Sequence, residues 1–154
     1  MGNCLGIDPG KTGAIAYIED GFLKWAETCP VFKNGNKSQY DERRMAKIIL
    51  DNHIDKAVIE NVHAFPGQGS VSMFNFGYGF GIWIGIFATT TIPYTLVSPQ
   101  RWKKDMVSGV NAEKKMKSVV QVKRLYPDLA ITTKEDHNIC DAILIARWGL
   151  EYGI

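Results

Sequence analysis

The chain alternates between short apolar runs and longer stretches in which apolar residues recur at helical spacing. Short apolar runs bounded by turn residues are typical of buried strands, whereas helical spacing is typical of a helix with one buried face. The predicted strands are Cys4–Ile7, Gly13–Ile18, Phe22–Ala26, Ala57–Ile59 and Tyr94–Val97. The predicted helices are Gln39–Leu50, Val71–Thr89, Ala112–Tyr126 and Asn138–Tyr152. This order predicts an α/β fold with a mixed sheet of about five strands, three antiparallel and two parallel, flanked by helices on both faces.

Carboxylates stand at three places where a buried element begins or ends. Asp8 ends the first strand and is followed by a Pro-Gly turn, Glu60 ends the fourth strand, and Asp141 opens the last helix. Taken alone, Asp8 would be a turn-forming residue and Asp141 an acid favoured by the helix dipole. Buried strands seldom end in an unpaired acid, however, because burying the ionised form without a partner is costly. Together the three acids predict a binding site for divalent cations.

Magnesium is the cation that suits such a site, because Mg²⁺ prefers oxygen ligands and usually binds through one or two carboxylates. Asp8, Glu60 and Asp141 could hold two ions roughly 3.5 to 4 Å apart, with Asp8 bridging them, as in enzymes that hydrolyse phosphodiesters. The acids therefore predict a two-ion site for phosphodiester chemistry.

Positive charge is concentrated in one segment of the chain. The formal net charge is only +2, but residues 98–126 carry eight basic and two acidic side chains, +6 in all, which leaves −4 for the remainder. The basic residues are Arg101, Lys103, Lys104, Lys114, Lys115, Lys117, Lys123 and Arg124. Such a stripe indicates phosphate binding, although any single lysine could simply be solvated. Lys11, directly after the turn that follows Asp8, is a further candidate for contact with a phosphate.

The middle of the chain has no charged side chain over the 37 residues from Ala64 to Gln100. Its uninterrupted apolar part, about Phe76–Ala88, is shorter than the roughly 20 residues that span a membrane. We therefore predict a buried helix and no membrane partner.

Gly77, Gly81 and Gly85 recur on one face of that helix. Each costs about 1 kcal/mol of helix propensity relative to alanine, so another backbone is expected to approach this face. Both close packing against the sheet and a helix-to-helix homodimer interface are consistent with the pattern. Phe74, near the start of the helix, is expected to lie in the core.

Size and cysteine content agree with a compact enzyme. The 154 residues fit one domain, residues 1–154, and the 45% hydrophobic content is enough for a layered core. Cys4, Cys29 and Cys140 are odd in number and lack metal-type spacing, so we expect reduced thiols. The start has no signal-peptide pattern, and a cytoplasmic location, in a bacterial cell or a phage-infected host, is expected.

At the level of motifs the chain resembles the RuvC family of Holliday junction resolvases, which has a ribonuclease H-like fold. The matching segments cover nearly the whole chain: Gly6–Gly13, Ile59–Val62, Ser98–Pro99, Asn111–Lys114 and Asp141–Ala146. The length and the run Ser72–Gly77 look more like the phage-borne branch. The resemblance implies a homodimeric, magnesium-dependent endonuclease that cuts four-way DNA junctions during recombination by paired nicks. It implies that Asp8, Glu60 and Asp141 bind the metal and that Lys114, with Lys103 or Lys104, contacts DNA.

Two positions depart from the family pattern. The family usually has an acid or a histidine three residues before the last aspartate, where this chain has Asn138. Asp136, His137 or the amide oxygen of Asn138 could supply a fourth ligand, Mn²⁺ could substitute for Mg²⁺, and His137 could also assist proton transfer. The family's aromatic wedge matches His63 here, so Phe65 or Phe74 could take over base stacking.

Other functions remain consistent with the sequence. The same fold and acids would serve a nuclease with broader selectivity for forks and flaps, or an RNA-cutting relative. Asn138 is also consistent with a catalytically degenerate DNA-binding module. An actin-like or sugar-kinase-like phosphotransferase has a similar phosphate loop after an acid, but that fold generally needs two such domains, and 154 residues supply only one.

Overall fold

A computed structural model describes residues 2–130 and 136–153. Its main sheet contains β1 (Asn3–Asp8), β2 (Ala14–Glu19), β3 (Phe22–Thr28), β6 (Ala57–Glu60) and β7 (Tyr94–Val97). The strand order is β3-β2-β1-β6-β7, in which β1, β2 and β3 pair antiparallel and β1, β6 and β7 pair parallel. The predicted mixed sheet is therefore confirmed, including its three antiparallel and two parallel strands.

Helices cover both faces of this sheet. They are α1 (Glu42–Asp51), α2 (Ser70–Thr90), α3 (Pro99–Val107), α4 (Lys117–Leu125) and α5 (His137–Glu151). The central strand β1 is buried on both faces, and its side chains alternate between two apolar layers. Leu5 and Ile7 belong to the layer with α1 and α2, whereas Cys4 belongs to the layer with α3, α4 and α5.

Gly6 lets α5 approach β1 closely. A Cβ atom at this position would overlap the carbonyl oxygen of Ala142 and the amide nitrogen of Ala146, both on the backbone of α5. The helix therefore packs directly on the bare strand backbone. Because Asp8 lies two residues beyond Gly6 and Asp141 precedes Ala142, this contact also sets the separation of two candidate acids.

We expect Gly6→Ala to destabilise the protein by about 3 kcal/mol, at the upper end of the usual cost of overpacking, since a backbone cannot rotate away as a side chain can. Chemical denaturation measures this change. Gly69→Ala is the matched control, because nothing lies within 4 Å of its Cβ position and its φ is −64°. A Gly6→Ala variant as stable as the control would show that α5 is not held at this distance.

A hairpin replaces the beginning of the first predicted helix. The strands β4 (Val31–Asn34) and β5 (Lys37–Tyr40) form a separate two-stranded sheet, with Gly35 in the turn at φ +64°. Helix α1 starts only at Glu42, because the Asp41 side chain caps it by accepting a hydrogen bond from the Arg44 amide at 3.0 Å. The prediction that a helix begins at about residue 39 is therefore wrong. The Gly-Asn pair at 35–36 is a hairpin signal that could have indicated the correct structure.

In the second half of the chain the observed helices differ from the predicted ones. Helix α3 was not predicted, although Ser98 caps it by accepting from the Arg101 amide at 3.2 Å and Pro99 occupies its first turn. The helix predicted over 112–126 is divided into a short 3₁₀ turn, Lys114–Met116, and α4. Helix α5 begins at His137, one residue before its predicted start at Asn138, so Asp141 lies in its second turn and does not open the helix.

Helix α2 is longer than its apolar stretch indicated. With 21 residues, it is long and apolar enough by length and composition alone to cross a membrane, contrary to the expectation that it is too short. One such helix is weak evidence, since core helices also pass this test. Trp83 and Phe87 are fully buried against the sheet, so one face of α2 belongs to the core of this domain.

The opposite face of α2 is open. No atom lies within 4 Å of the Cβ positions of Gly77, Gly81 and Gly85, so the expectation that these glycines pack against the sheet is wrong. Phe74 is 73% exposed and Tyr78 is 50% exposed, and the prediction that Phe74 lies in the core is also wrong. The periodicity of α2 could not indicate which residues face the sheet, because the helix is apolar on nearly every side.

Candidate active site

The three predicted acids meet at one edge of the sheet. Asp8 and Glu60 end the neighbouring strands β1 and β6, and these strands are parallel, so their carboxyl ends lie side by side. Helix α5 packs across β1 at Gly6 and brings Asp141 to the same edge. Carboxyl ends of parallel strands are the usual place for a binding site in an α/β sheet.

Burial and mutual repulsion raise the pKa of these acids. The pKa of Asp8 lies well above its usual value, first because the group is buried and then because of the nearby charges of Glu60 and Asp141. Burial also raises the pKa of Glu60 and of Asp141. Buried acids that raise one another's pKa values form a site with a deficit of positive charge.

Two buried donors hold the outer acids in place. Trp102 Nε1 donates a hydrogen bond to Glu60 Oε2 at 2.6 Å, and Ser118 Oγ donates to Asp141 Oδ1 at 2.5 Å. Each bond favours the ionised carboxylate and thereby opposes the rise in its pKa. Sequence reasoning missed both donors. Their only signals are a tryptophan inside the basic segment and a serine on the buried face of α4.

Lys103 is close enough to the three acids for its positive charge to act on the pKa of each. Its ammonium lowers the pKa of Asp8, Glu60 and Asp141 and lies 5.3 Å from the centre of the Trp102 ring. Lys104 instead acts on Asp105, whose pKa it helps to lower. The structure therefore assigns Lys103, of the two candidates, to the acid cluster.

Other predicted basic residues lie around the site at different places. A pocket of about 350 Å³ is lined by Lys103, Lys104, Lys114 and Ser118, so it adjoins the acids. Lys115, in the 3₁₀ turn, is exposed. Lys11 lies in the turn after Asp8, with its ammonium 5.8 Å from the centre of the Tyr40 ring.

Neither a family model nor a curated protein sequence matches this chain. Among solved structures, RuvC of Thermus thermophilus in complex with a Holliday junction substrate has a TM-score of 0.72 at 15% identity, over 99% of this chain and 94% of that one. The chain has the RuvC fold. A second Thermus thermophilus RuvC structure gives a TM-score of 0.61 at 17% identity, covering 94% of this chain and 90% of that one. Fowlpox virus resolvase, in a complex with Holliday junction DNA, gives 0.59 at 18% identity, covering 96% and 98%.

Within this RuvC fold, the three candidates for a fourth metal ligand lie at the start of α5. Asn138 Nδ2 donates to the Thr12 carbonyl oxygen at 2.8 Å, which ties α5 to the turn after Asp8. His137 Nδ1 lies 4.0 Å from Asp141 Oδ2 and its charge lowers the pKa of Asp141. Asp136 directly precedes α5, and its charge helps to raise the pKa of the Cys140 thiol. His137 thus contacts the acid cluster, while the ligand roles of all three residues stay predictions.

The donor set suits a hard cation, although the acids do not form a closed cage. In residues 2–130 and 136–153, no group of three or more His, Cys, Asp or Glu side chains is spaced to hold a metal ion. Two of the three acids are already held by hydrogen bonds from Trp102 and Ser118. The oxygen donors, the raised pKa values and the excess negative charge fit Mg²⁺ or Mn²⁺.

Phe65 lies in a turn that follows the strand end at Glu60. Its amide donates to Gln68 Oε1 at 3.3 Å and its carbonyl oxygen accepts from the Gln68 amide at 3.1 Å. The side chain is 60% exposed, so it is accessible for the stacking role that the sequence predicts.

Proposed function

We propose that this protein is a divalent-metal-dependent endonuclease that resolves four-way DNA junctions by paired nicks. The observation that carries the proposal is the convergence of Asp8, Glu60 and Asp141 at one edge of a RuvC fold, with the charge of Lys103 reaching all three. The two similar structures that contain Holliday junction DNA support the choice of substrate.

In this proposal the acids hold two ions and the surrounding residues position the acids and the scissile phosphate. Bound ions would activate the attacking water and stabilise the departing 3′-oxygen. Trp102 and Ser118 fix one oxygen each of Glu60 and Asp141, so these carboxylates are oriented before DNA binds. Lys103 would contact the scissile phosphate and offset its charge.

A homodimer would provide the two active sites that paired nicks require. The open face of α2, with Gly77, Gly81 and Gly85 exposed, lets a second helix backbone approach closely. Burial of this face between two copies would offset the cost of placing three glycines in a helix.

Cleavage of labelled branched substrates tests the proposal. The substrates are a four-way junction, a replication fork, a flap and a linear duplex, each incubated with Mg²⁺, Mn²⁺ or a chelator. We expect metal-dependent nicks at symmetric positions of the four-way junction. Equal cutting of forks and flaps would indicate a broader branched-DNA nuclease, and junction binding without nicks would indicate a DNA-binding module without catalysis.

Lys103→Ala and Lys104→Ala should differ although the residues are adjacent and both side chains are exposed. We expect Lys103→Ala to slow junction cleavage at least about tenfold, because a cation beside the reacting phosphate stabilises developing charge. Lys104→Ala should change the rate by no more than about fivefold, the scale of one exposed charge. Single-turnover rates measure both effects, and equal losses would contradict the assignment of Lys103 to the site.

Trp102→Phe removes the donor to Glu60 while keeping an aromatic ring in the core. We expect a loss of about 10- to 100-fold in metal affinity or activity, the usual effect of losing a hydrogen bond to a metal ligand. Titration of Mg²⁺ against cleavage rate measures it. Trp148→Phe is the matched control, because Trp148 Nε1 donates to Asp105 at 2.8 Å in the same apolar layer. An equal effect of both variants would assign Trp102 to stability alone.

A further inference from the structure

A groove lies between the β4–β5 hairpin and the start of α2, and its walls carry both aromatic rings and lysines. One part, of about 260 Å³, is lined by Phe32 and Tyr40 of the hairpin segment and by Phe74 and Tyr78 of α2. The adjoining part, of about 480 Å³, is lined by Lys37 among others. We call the two parts together the hairpin groove.

Three polar residues join the two parts. Lys11, Gln39 and Asn75 line both, so the groove is continuous. Lys11 follows Asp8 by three residues in the same turn, and the Phe76 ring of α2 lies 3.7 Å from the Cβ position of Gly10 in that turn. The groove therefore begins beside the candidate active site.

The aromatic residues are arranged as a stacking surface. Phe74 and Tyr78 stack with their ring centres 6.2 Å apart and their planes at 20°, and both are largely exposed. The Tyr78 ring also meets Tyr40, at 5.9 Å between centres. Tyr40 is buried, and its ring occupies the space that a side chain at Gly79 would need. Tyr40 thus forms a fixed floor beneath two exposed rings.

The hairpin register places Phe32, Lys37 and Gln39 of the groove on one face. In the β4–β5 ladder Phe32 pairs with Gln39 and Asn34 pairs with Lys37, so these side chains share a face of the hairpin, whereas Lys33 lies on the other. An exposed aromatic ring, an amide and a lysine are therefore presented together. Exposure of the Phe32 ring to water on this face is unfavourable, so a bound partner would explain it better than solvation does.

We propose that the hairpin groove binds an unstacked nucleotide of a single DNA strand that leaves the active site. This inference rests on the proposed function, since it takes DNA as the substrate. A base would stack on Phe74 and Tyr78, because stacking on exposed aromatic rings accepts any base. Lys11 and Lys37 would contact its flanking phosphates, and Gln39, Asn75 and Glu42, which also lines the groove, offer hydrogen-bonding groups to the base edge.

Binding of a fluorescently labelled oligothymidine to the full chain, measured by anisotropy with a chelator present, tests this site without requiring cleavage. We expect Phe74→Ala and Lys11→Ala each to weaken binding at least about fivefold, and Phe74→Tyr to retain it. Phe22→Ala and Lys33→Ala are the matched controls, because Phe22 is 70% exposed outside the groove and Lys33 lines neither part of it. Thermal melting of each variant confirms that it is folded.

Equal affinities for Phe74→Ala and Phe22→Ala would overturn the groove proposal, as would a wild-type chain that cuts junctions but does not bind the oligonucleotide. The groove proposal and the proposed catalytic function can each be contradicted without the other. Groove-dependent binding without any junction cleavage would support the groove and contradict the nuclease.

Discussion

Asp8→Asn is expected to abolish junction cleavage and to leave junction binding intact. The substitution keeps the shape of the side chain but removes the charge at the centre of the acid cluster. Loss of a ligand shared by two catalytic ions costs several kcal/mol of transition-state stabilisation, or at least about a thousandfold in rate. Single-turnover cleavage measures the rate, and electrophoretic mobility shift in chelator measures binding.

The same substitution should make the metal-free protein more stable. Asp8 is buried near two other acids, and its pKa is raised for both reasons, so an uncharged amide relieves desolvation and repulsion together. A thermal melt in chelator measures the change. Asp128→Asn is the control, since Asp128 is exposed after the end of α4 and its replacement should alter neither cleavage nor melting. Cleavage by Asp8→Asn at near the wild-type rate would contradict the two-ion assignment.

Divalent metal is expected to stabilise the protein, and the size of this effect should grow with pH. The folded-state pKa of Asp8 is raised well above its ordinary value of 3.8, and the pKa values of Glu60 and Asp141 are raised too. Between the ordinary and the raised values, the folded chain binds more protons than the unfolded chain. Stability without metal therefore falls as pH rises through that window.

Bound metal would remove this penalty, because it replaces the protons as the neutralising charge. At a metal concentration one hundred times its Kd, the expected stabilisation is about 2.7 kcal/mol, or roughly 5 to 10 °C in Tm for a chain of this size. Melting curves between about pH 5 and about pH 8, with Mg²⁺ and with chelator, measure it. Asp8→Asn should lose most of the metal effect. An equal increase in Tm for wild type and Asp8→Asn would place the metal elsewhere.

The positions of Asp8 and Glu60 could be predicted from sequence because the relevant signal is local. An acid directly after an apolar strand marks a sheet edge, and two such acids on parallel neighbours must lie close together. Asp141 was found by its place in an apolar helix, although it lies in the second turn of that helix and does not open it.

The donors that hold these acids could not be predicted, because they come from distant parts of the chain. Trp102 and Glu60 are 42 positions apart, and Ser118 and Asp141 are 23 apart. Which face of α3 or α4 meets the site depends on packing against α5, and no periodicity in either segment specifies that partner. Lys103 could be distinguished from Lys104 only once α3 was in place.

Phe74 illustrates a different limit of sequence reasoning. Helix α2 is apolar on nearly every side, so its periodicity does not indicate which residues face the sheet. In the structure Trp83 and Phe87 lie in the core and Phe74 lies outside, beside a hairpin whose Gly-Asn turn was not used as a signal. The hairpin groove therefore depends on a hairpin that was not predicted and on an orientation of α2 that its periodicity does not indicate.

The most direct test of the central claim is cleavage of a supercoiled plasmid that extrudes a cruciform, with Mg²⁺ present. Paired nicks made within the lifetime of one complex convert such a plasmid directly to the linear form, because two opposed strands are cut at one junction. We predict linear product that requires both the metal and the cruciform. Nicked circles alone, or a bound plasmid that stays uncut, would contradict the assignment of this protein as a junction-resolving nuclease.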